Sequence, residues 1–231
     1  MMNCFVLIST LVGVSEGLLL TKLITLTNFN THYSVWILKN HDFNHHHDNP
    51  QLMSNSNERF QVRQNFYIRD GKFSDLVHVA NIIVDSFYNP SIFIRPYLYA
   101  SELNRLQENF PYNSTFHNYL VACRKHGLDD GVVIGFADID ARPSSNEDDP
   151  PRPYLSDLAI DKHYRRLGLA KSLVQECESR ILSMGRNMLF LRVERDNNAA
   201  RKMYESIGYD HSPHHIFGVN DSTILLKRSL D

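Results

Sequence analysis

The sequence has few cysteines and no strong excess of charge of either sign. Its three cysteines, Cys4, Cys123 and Cys177, are far apart and odd in number, so neither a disulfide framework nor a paired-cysteine zinc site follows, and a reducing compartment fits best. The formal net charge of −2 provides no global field that would attract a polyanion. We therefore predict a protein that does not bind nucleic acid.

Long uninterrupted hydrophobic runs are also missing. Residues 1–26 are mostly apolar, but Glu16 and Lys22 interrupt them, so we predict no stable membrane span. Residues 4–14 have the length of a signal-peptide core, although no Lys or Arg precedes them, and a targeting role stays open. The following KNHDFNHHHDNPQLMSNSNE is too polar to offset its ordering entropy and predicts a disordered linker, whose clustered histidines indicate a solvated segment more than a metal site.

From residue 65 onward, the hydrophobic periodicity alternates between strand-like and helix-like segments. The order predicts an extension over residues 1–64 and one α/β domain with a mixed sheet over residues 65–231. The predicted elements are a strand in NFYIRDG, a helix over 76–87 that Ser74 or Asp75 caps, a helix over 101–109 after Pro90 and Pro96, a hairpin of 119–124 and 131–140 around KHGLDD, a strand over 154–160, a helix from about 168 to 184, a strand over 187–193, a helix that Asn197 or Asn198 caps, and a last strand in STILLKR.

The stretch RRLGLAKS, residues 165–172, stands between a strand and an amphipathic helix. It lacks both glycines of a P-loop, and the chain contains no G-x-G-x-x-G dinucleotide motif. The first amides of a helix have no internal partner, and Gly168 and the small Ala170 would let an anion come close to them. The residues alone are compatible either with a phosphate site, to which Arg165 and Arg166 add charge, or with a solvated basic turn.

Two motifs in the same part of the chain favour the phosphate. After Ile160, the run DKHYRRLGLA has the spacing [RQ]-x-x-G-x-[GA], and NNAARKMYESIGY follows with asparagines, small residues, a tyrosine and Gly-Tyr. In this order the motifs resemble the acyl-CoA signatures of the GNAT N-acetyltransferase superfamily, over about residues 66–228. The run YLSDLAIDKHYRRLGLAKSL also resembles plant and algal plastid acetyltransferases and the catalytic subunits of N-terminal acetyltransferases.

The resemblance implies a mixed central sheet flanked by helices, with two strands splayed at an acyl-CoA site, and acetyl-CoA as the cosubstrate. The pantetheine arm would pair with the strand that ends at Ile160, and the pyrophosphate would sit on the loop and first helical turn. Cofactor-binding positions implied in this way are Leu158, Ala159, Ile160, Arg165, Arg166, Leu167, Gly168, Leu169, Ala170, Lys171, Asn197, Asn198, Ala199 and Tyr204.

The resemblance also implies two catalytic tyrosines. Tyr204 matches the phenol that protonates the departing CoA thiolate, although its place on an apolar stripe also suits a core aromatic. A strand amide near Leu158 could stabilise the oxyanion. Tyr154 could hold a water that acts as base, but Arg192 stands where one type of N-terminal acetyltransferase has a histidine partner. Asp157 and Glu194 are alternative carboxylates, and Asp157 suits a structural role equally well.

These observations support three hypotheses about function. The first is an enzyme that acetylates a protein α-amine or lysine ε-amine, the second is a non-catalytic acyl-CoA sensor, and the third is an acetyltransferase for small amines such as polyamines. The extension together with the plastid-like resemblance favours a plastid location, with the cytoplasm as the alternative.

Overall fold

The computed structural model of the protein describes residues 66–88, 90–126, 129–144, 149–213 and 222–230. The predicted extension, its targeting segment and its histidine cluster lie outside these residues. Within them, seven strands form one sheet in the order β1-β2-β3-β4-β5-β7-β6. The strands are β1 Phe66–Asp70, β2 His117–His126, β3 Asp129–Asp140, β4 Tyr154–Ile160, β5 Met188–Glu194, β6 Asp210–His211 and β7 Thr223–Ser229.

The sheet is mixed, as the sequence predicts. Neighbouring strands pair antiparallel, except that β4 and β5 are parallel. Four helices cross over the faces of the sheet: α1 Leu76–Phe87, α2 Arg95–Glu108, α3 Leu169–Ser183 and α4 Asn198–Ser206. A parallel pair needs a crossover connection, and α3 supplies it between β4 and β5. None of the helices in the described ranges is long and apolar enough to cross a membrane.

Side-chain alternation along the central strands divides the core into two layers. On β2, Leu120 and Ala122 pack in the cluster that contains the apolar stripes of α3 and α4. Tyr119 and Val121 point the other way, into the cluster formed with α1 and α2. The sheet is therefore covered on both faces, which explains why β4 is buried along its whole length.

Local signals placed most helix ends correctly. Gly168 is the residue before α3, and Gly185 just after it adopts a left-handed φ of 72°. Pro96 does not break the chain as predicted, because it lies in the first turn of α2, where its missing N–H would have no helical partner anyway. The helix predicted over 101–109 consequently begins at Arg95.

Other boundaries differ because tertiary contacts decide them. Asp75 makes no side-chain cap to α1, since its carboxylate accepts bonds from the Lys72 amide and the Arg69 guanidinium. The predicted hairpin loop is shorter, because β2 continues to His126 and β3 begins at Asp129. The short strand β6 was not predicted, since its two residues carry no periodicity.

Simple alternation along β4 would place Leu155 on the same face as Asp157 and Ala159, but a bulge interrupts it. Asp138 and Ile139 are adjacent on β3 but pair with Asp157 and Leu155, so Ser156 is an extra residue. Such a bulge changes the direction in which the neighbouring side chains point. Leu155 therefore packs in the same cluster as Leu158 and Ile160, instead of sharing a face with Asp157 and Ala159.

Candidate active site

The parallel strands β4 and β5 separate soon after they meet. Only two residue pairs join them, Tyr154↔Phe190 and Leu155↔Leu191. From Leu158 to Ile160, β4 keeps its antiparallel partner β3 on one side, while its other edge is not paired with β5. A buried strand edge needs partners for its backbone N–H and C=O groups, so it can accept an extended chain that carries amides of its own. This divergence was predicted from the resemblance.

The loop after β4 presents backbone amides at the end of this edge. Asp161 accepts a hydrogen bond from the amide of His163 at 2.9 Å and begins a short 3-10 turn over Lys162–Tyr164. Arg166 and Gly168 follow in left-handed conformations, with φ of 65° and 87°. Successive turns of this kind direct amides toward one point and form an anion-binding concavity.

The first turn of α3 adds further donors at this end of the loop. The amide of Ser172 makes the first helical bond, to the carbonyl of Gly168 at 3.1 Å. The amides of Leu169, Ala170 and Lys171 therefore have no acceptor within the helix, and the helix dipole adds positive potential there. Gly168 is exposed, and a Cβ added to it would meet nothing within 4 Å, so its φ explains the glycine.

Arg165 lies beside the loop with a different set of contacts from Arg166. Its Nε donates to the carbonyl of Ile160 at 3.0 Å, and its Nη2 donates to Ser86 Oγ at 3.1 Å. These bonds tie the end of β4 to α1 and hold the loop in place, and burial lowers the pKa of the guanidinium. Among the two arginines predicted to bind phosphate, Arg166 is the exposed one.

Helix α4 begins with the predicted asparagine cap. The side-chain oxygen of Asn197 accepts from the amide of Ala200 at 3.1 Å, whereas Asn198 is exposed and Ala199 is partly buried. Seven residues after the cap, Tyr204 is fully buried, and its hydroxyl has no hydrogen-bond partner in the described part of the chain. Burial raises the pKa of this phenol well above its usual range, so the proton stays on the oxygen at neutral pH.

Tyr154 is fully buried at the start of β4, beside β5. Burial raises the pKa of its phenol, the charge of Arg192 opposes that rise, and the charge of Asp157 adds to it. The three groups therefore share one neighbourhood. Because the phenol stays protonated, Tyr154 can orient a water or an amine but cannot itself take a proton at neutral pH.

Asp157 is the buried carboxylate of this neighbourhood. Its Oδ2 accepts from Arg105 Nη2 on α2 at 2.9 Å, and Arg105 also donates to Glu102 at 2.8 Å. Burial raises the pKa of Asp157 to about 6 against the opposing effect of Arg105, with Asp138 on β3 contributing to the rise. A carboxylate with this pKa is ionised at neutral pH and can still accept a proton.

Some of these functional side chains carried no signal in the sequence. Glu102 and Arg105 are three residues apart on a helix, an arrangement that usually indicates a surface ion pair. The structure instead places Glu102 inside, where it accepts a 2.6 Å hydrogen bond from Tyr88. Only the packing of α2 against the sheet brings Arg105 to Asp157, 52 residues away in sequence.

The predicted cofactor-binding positions lie on consecutive elements around the separated strands. Their backbone lies along β4, the loop and the first turn of α3, while the asparagines stand at the start of α4. The unpaired strand edge suits an arm that carries amides, and the free helix amides suit a diphosphate. The buried phenol, which has no partner among the described residues, suits a thiol.

Comparison with known proteins agrees with this geometry. An uncharacterised N-acetyltransferase of Lactobacillus delbrueckii subsp. lactis is 29% identical over 105 residues, which are 44% of this chain and 61% of that protein. The chloroplastic GCN5-related N-acetyltransferase 7 of Arabidopsis thaliana is 26% identical over 110 residues, 42% of this chain and 40% of that protein. The chain thus spans less than two thirds of either relative.

Solved structures share the fold at lower identity. The structure of the NatC complex bound to Gag peptide and CoA has a chain that superposes with a TM-score of 0.51 at 19% identity, over 72% of this chain and 99% of that one. A family model described as the acetyltransferase (GNAT) family matches residues 77–209, more than half of the 231 residues. The chain therefore belongs to the GNAT family of N-acetyltransferases, whose cosubstrate is acetyl-CoA.

Proposed function

We propose that the protein transfers the acetyl group of acetyl-CoA to amines of proteins, either an N-terminal α-amine or a lysine ε-amine. The observation that carries this proposal is the separation of β4 from β5 after the pair Leu155↔Leu191. The unpaired part of β4 leads to a left-handed turn and the N-terminus of α3. Leu158, Ala159 and Ile160 would bind the pantetheine arm. The amides of residues 166–171 would bind the pyrophosphate.

The chain's own residues can then balance the proton transfers. The acceptor nitrogen forms a bond to the acetyl carbon as the carbon–sulfur bond breaks, so one proton must leave the amine and one must reach the sulfur. Tyr204 holds the second proton, since burial keeps its phenol neutral. Asp157 takes the first, directly or through a water oriented by Tyr154, because it is ionised above about pH 6.

A protein acceptor is supported by an apolar surface at the connection between α1 and α2. Ile92 and Phe93 are 79% and 91% exposed, and Ile94 and Tyr97 beside them are more than half exposed. Contiguous exposed apolar groups typically mark a surface that binds another polypeptide. Helix α2, which begins here, also carries Arg105, the partner of Asp157.

A non-catalytic acyl-CoA sensor is the main alternative. A sensor needs the strand edge and the helix amides, but it has no need of a buried phenol without a partner or of a buried carboxylate with a raised pKa. Tyr204 and Asp157 therefore favour the enzyme.

We further propose that residues 1–64 form a separate extension and that the protein acts in plastids. The support is the chloroplastic Arabidopsis relative, together with a second one that is 31% identical over 87 residues.

The test of the activity is a transfer assay with radiolabelled acetyl-CoA and three acceptor sets: peptides with free N-termini, peptides with blocked N-termini and one lysine, and polyamines. We expect label in a peptide set. Binding of CoA in calorimetry without transfer to any acceptor would support the sensor. Transfer to polyamines alone would contradict a protein acceptor and support a small-amine acetyltransferase.

A further inference from the structure

A buried arginine lies where β4 and β5 begin to separate. Arg192 is the first residue of β5 beyond the last pair with β4, and it is only 6% exposed. No described residue forms a hydrogen bond with its Nη2. Within the described ranges no carboxylate forms an ion pair with it, and burial lowers its pKa with only Tyr154 opposing that effect. A cation removed from water in this way is costly unless an anion joins it.

A second buried polar group without a partner among the described residues lies on the facing strand. Ser156 follows Leu155, as Arg192 follows Leu191, so the two residues stand at the start of the separation on the facing strands. Ser156 is 2% exposed, and its Oγ has no hydrogen-bond partner. Two buried donors without acceptors at one position indicate a ligand that brings acceptor oxygens.

The phosphates of CoA do not suit this position. The loop and helix amides lie beyond Ile160, and Ser156 is four residues earlier on the same strand. At about 3.3 Å per residue, roughly 13 Å separates the two ends of this segment. The start of the separation is therefore the region of the reacting groups, where the acceptor has to reach the acetyl carbon.

The charges of the side chains near Tyr154 indicate which charges the acceptor carries. The charges of Arg192 and Asp157 both act on the phenol of Tyr154, so a cationic and an anionic side chain lie near the same atom. An acceptor with an ammonium group and a nearby carboxylate would pair with both. A polyamine would bring only positive charge to Arg192 and would be disfavoured.

We propose that Arg192, assisted by Ser156, binds a carboxylate that lies next to the reactive amine of the acceptor. The inference rests on the proposed function and narrows it to protein N-termini whose first residue is Asp or Glu. A bidentate guanidinium–carboxylate pair fixes orientation as well as affinity, so it would position the amine for attack.

The experiment measures kcat/KM for peptides that differ only in the first residue, Asp, Asn, Glu, Gln or Ala, with free aspartate and glutamate as further acceptors. We expect the acidic peptides to exceed their amide isosteres by roughly tenfold or more, as for a hydrogen bond to a charged group. In Arg192→Gln this preference falls to parity, because the acidic peptides lose more of their kcat/KM than the neutral ones.

Arg192→Lys keeps the charge and should keep part of the preference for acidic peptides. It replaces Arg192→Gln in the comparison if the Gln variant fails to fold. Arg186→Gln, an exposed arginine just before β5, is the matched control and should keep all of it. Parity between acidic and amide peptides in the unmodified protein overturns the inference, and so does an equal loss on both classes in Arg192→Gln. Transfer to free aspartate or glutamate with no peptide acetylated would refute the protein acceptor while supporting the carboxylate site.

Discussion

Tyr204 stands on the buried stripe of α4, a position that suits a core aromatic as well as a catalytic acid. The sequence could not separate these roles, because both need an aromatic ring on the apolar face. The environment of the hydroxyl agrees with the acid role, because no other group of the described residues accepts its proton.

Tyr204→Phe removes this hydroxyl and leaves the ring. We expect kcat to fall by roughly 100-fold or more, within the usual contribution of a general acid. The affinity for CoA, measured by calorimetry, and the melting temperature should hold or rise slightly, because no hydrogen bond is lost. The control is Tyr209→Phe, which alters another buried tyrosine whose ring centre is 5.3 Å from that of Tyr204. Equal turnover in both variants would remove the acid role.

Asp157 predicts a pH dependence. Burial raises its pKa to about 6, so the carboxylate form that can accept a proton becomes populated as the pH rises through that value. The kcat/KM should therefore rise between about pH 5 and 7 and then level off. Asp157→Asn should lose most of the activity and the rise of kcat/KM between about pH 5 and 7. Glu108→Gln, which changes an exposed carboxylate on α2, should keep both. If kcat/KM still rises over this pH range in Asp157→Asn, another group is the base.

The same raised pKa has an opposite consequence for stability. Between the ordinary carboxyl value of 3.8 and about 6, the unfolded chain has lost the Asp157 proton while the folded chain retains it. The folded state binds more protons in this window, so the contribution of Asp157 to stability declines as the pH rises through it. The loss of the proton that makes Asp157 a base is thus also the step that makes its burial costly.

At the scale of the elements, α3 depends on two glycines with the same backbone requirement. Gly168 and Gly185 flank the helix with φ of 87° and 72°, and an added Cβ would meet nothing within 4 Å at either position. They differ in their surroundings, because only Gly168 lies at the end that presents free amides to an anion.

Gly168→Ala and Gly185→Ala therefore form a matched pair. Each should cost about 1–2 kcal/mol of unfolding free energy, the penalty for a side chain in a left-handed conformation. Only Gly168→Ala should also weaken CoA binding, since relieving its φ rotates the amides of the first turn. Chemical denaturation and calorimetry measure the two effects, and equal CoA affinity in both variants would contradict a phosphate site at this helix end.

Some features of the elements can be predicted from neighbouring residues, and others cannot. The cap of Asn197 and the ends of α3 were predictable, because each involves residues a few positions apart. The bulge at Ser156 was not, since it reflects how β3 and β4 adjust to each other. That one extra residue placed Leu155 in the same core layer as Leu158 and Ile160.

For the whole molecule, the boundary near residue 64 remains a prediction. Deleting residues 1–64 should leave CoA affinity within about twofold, since the predicted site residues all lie in one domain with its own core. The full chain fused to a fluorescent protein at its C-terminus should enter plastids, and the deleted form should not. Loss of CoA binding in the deleted form would place part of the domain in the extension, and identical locations would contradict the targeting role.

The sequence by itself determined the order of the helices and strands except the short β6, the helix that begins after Gly168 and the pair of motifs that indicates acetyl-CoA. These features depend on periodicity, capping and φ, which act over a few residues. Only the tertiary structure decided that Arg165 binds the end of β4, that Arg105 pairs with Asp157, and that Arg192 is buried with no ion pair among the described residues. Each of these outcomes depends on how distant elements dock, because burial and partner choice are set by neighbours that sequence spacing does not specify.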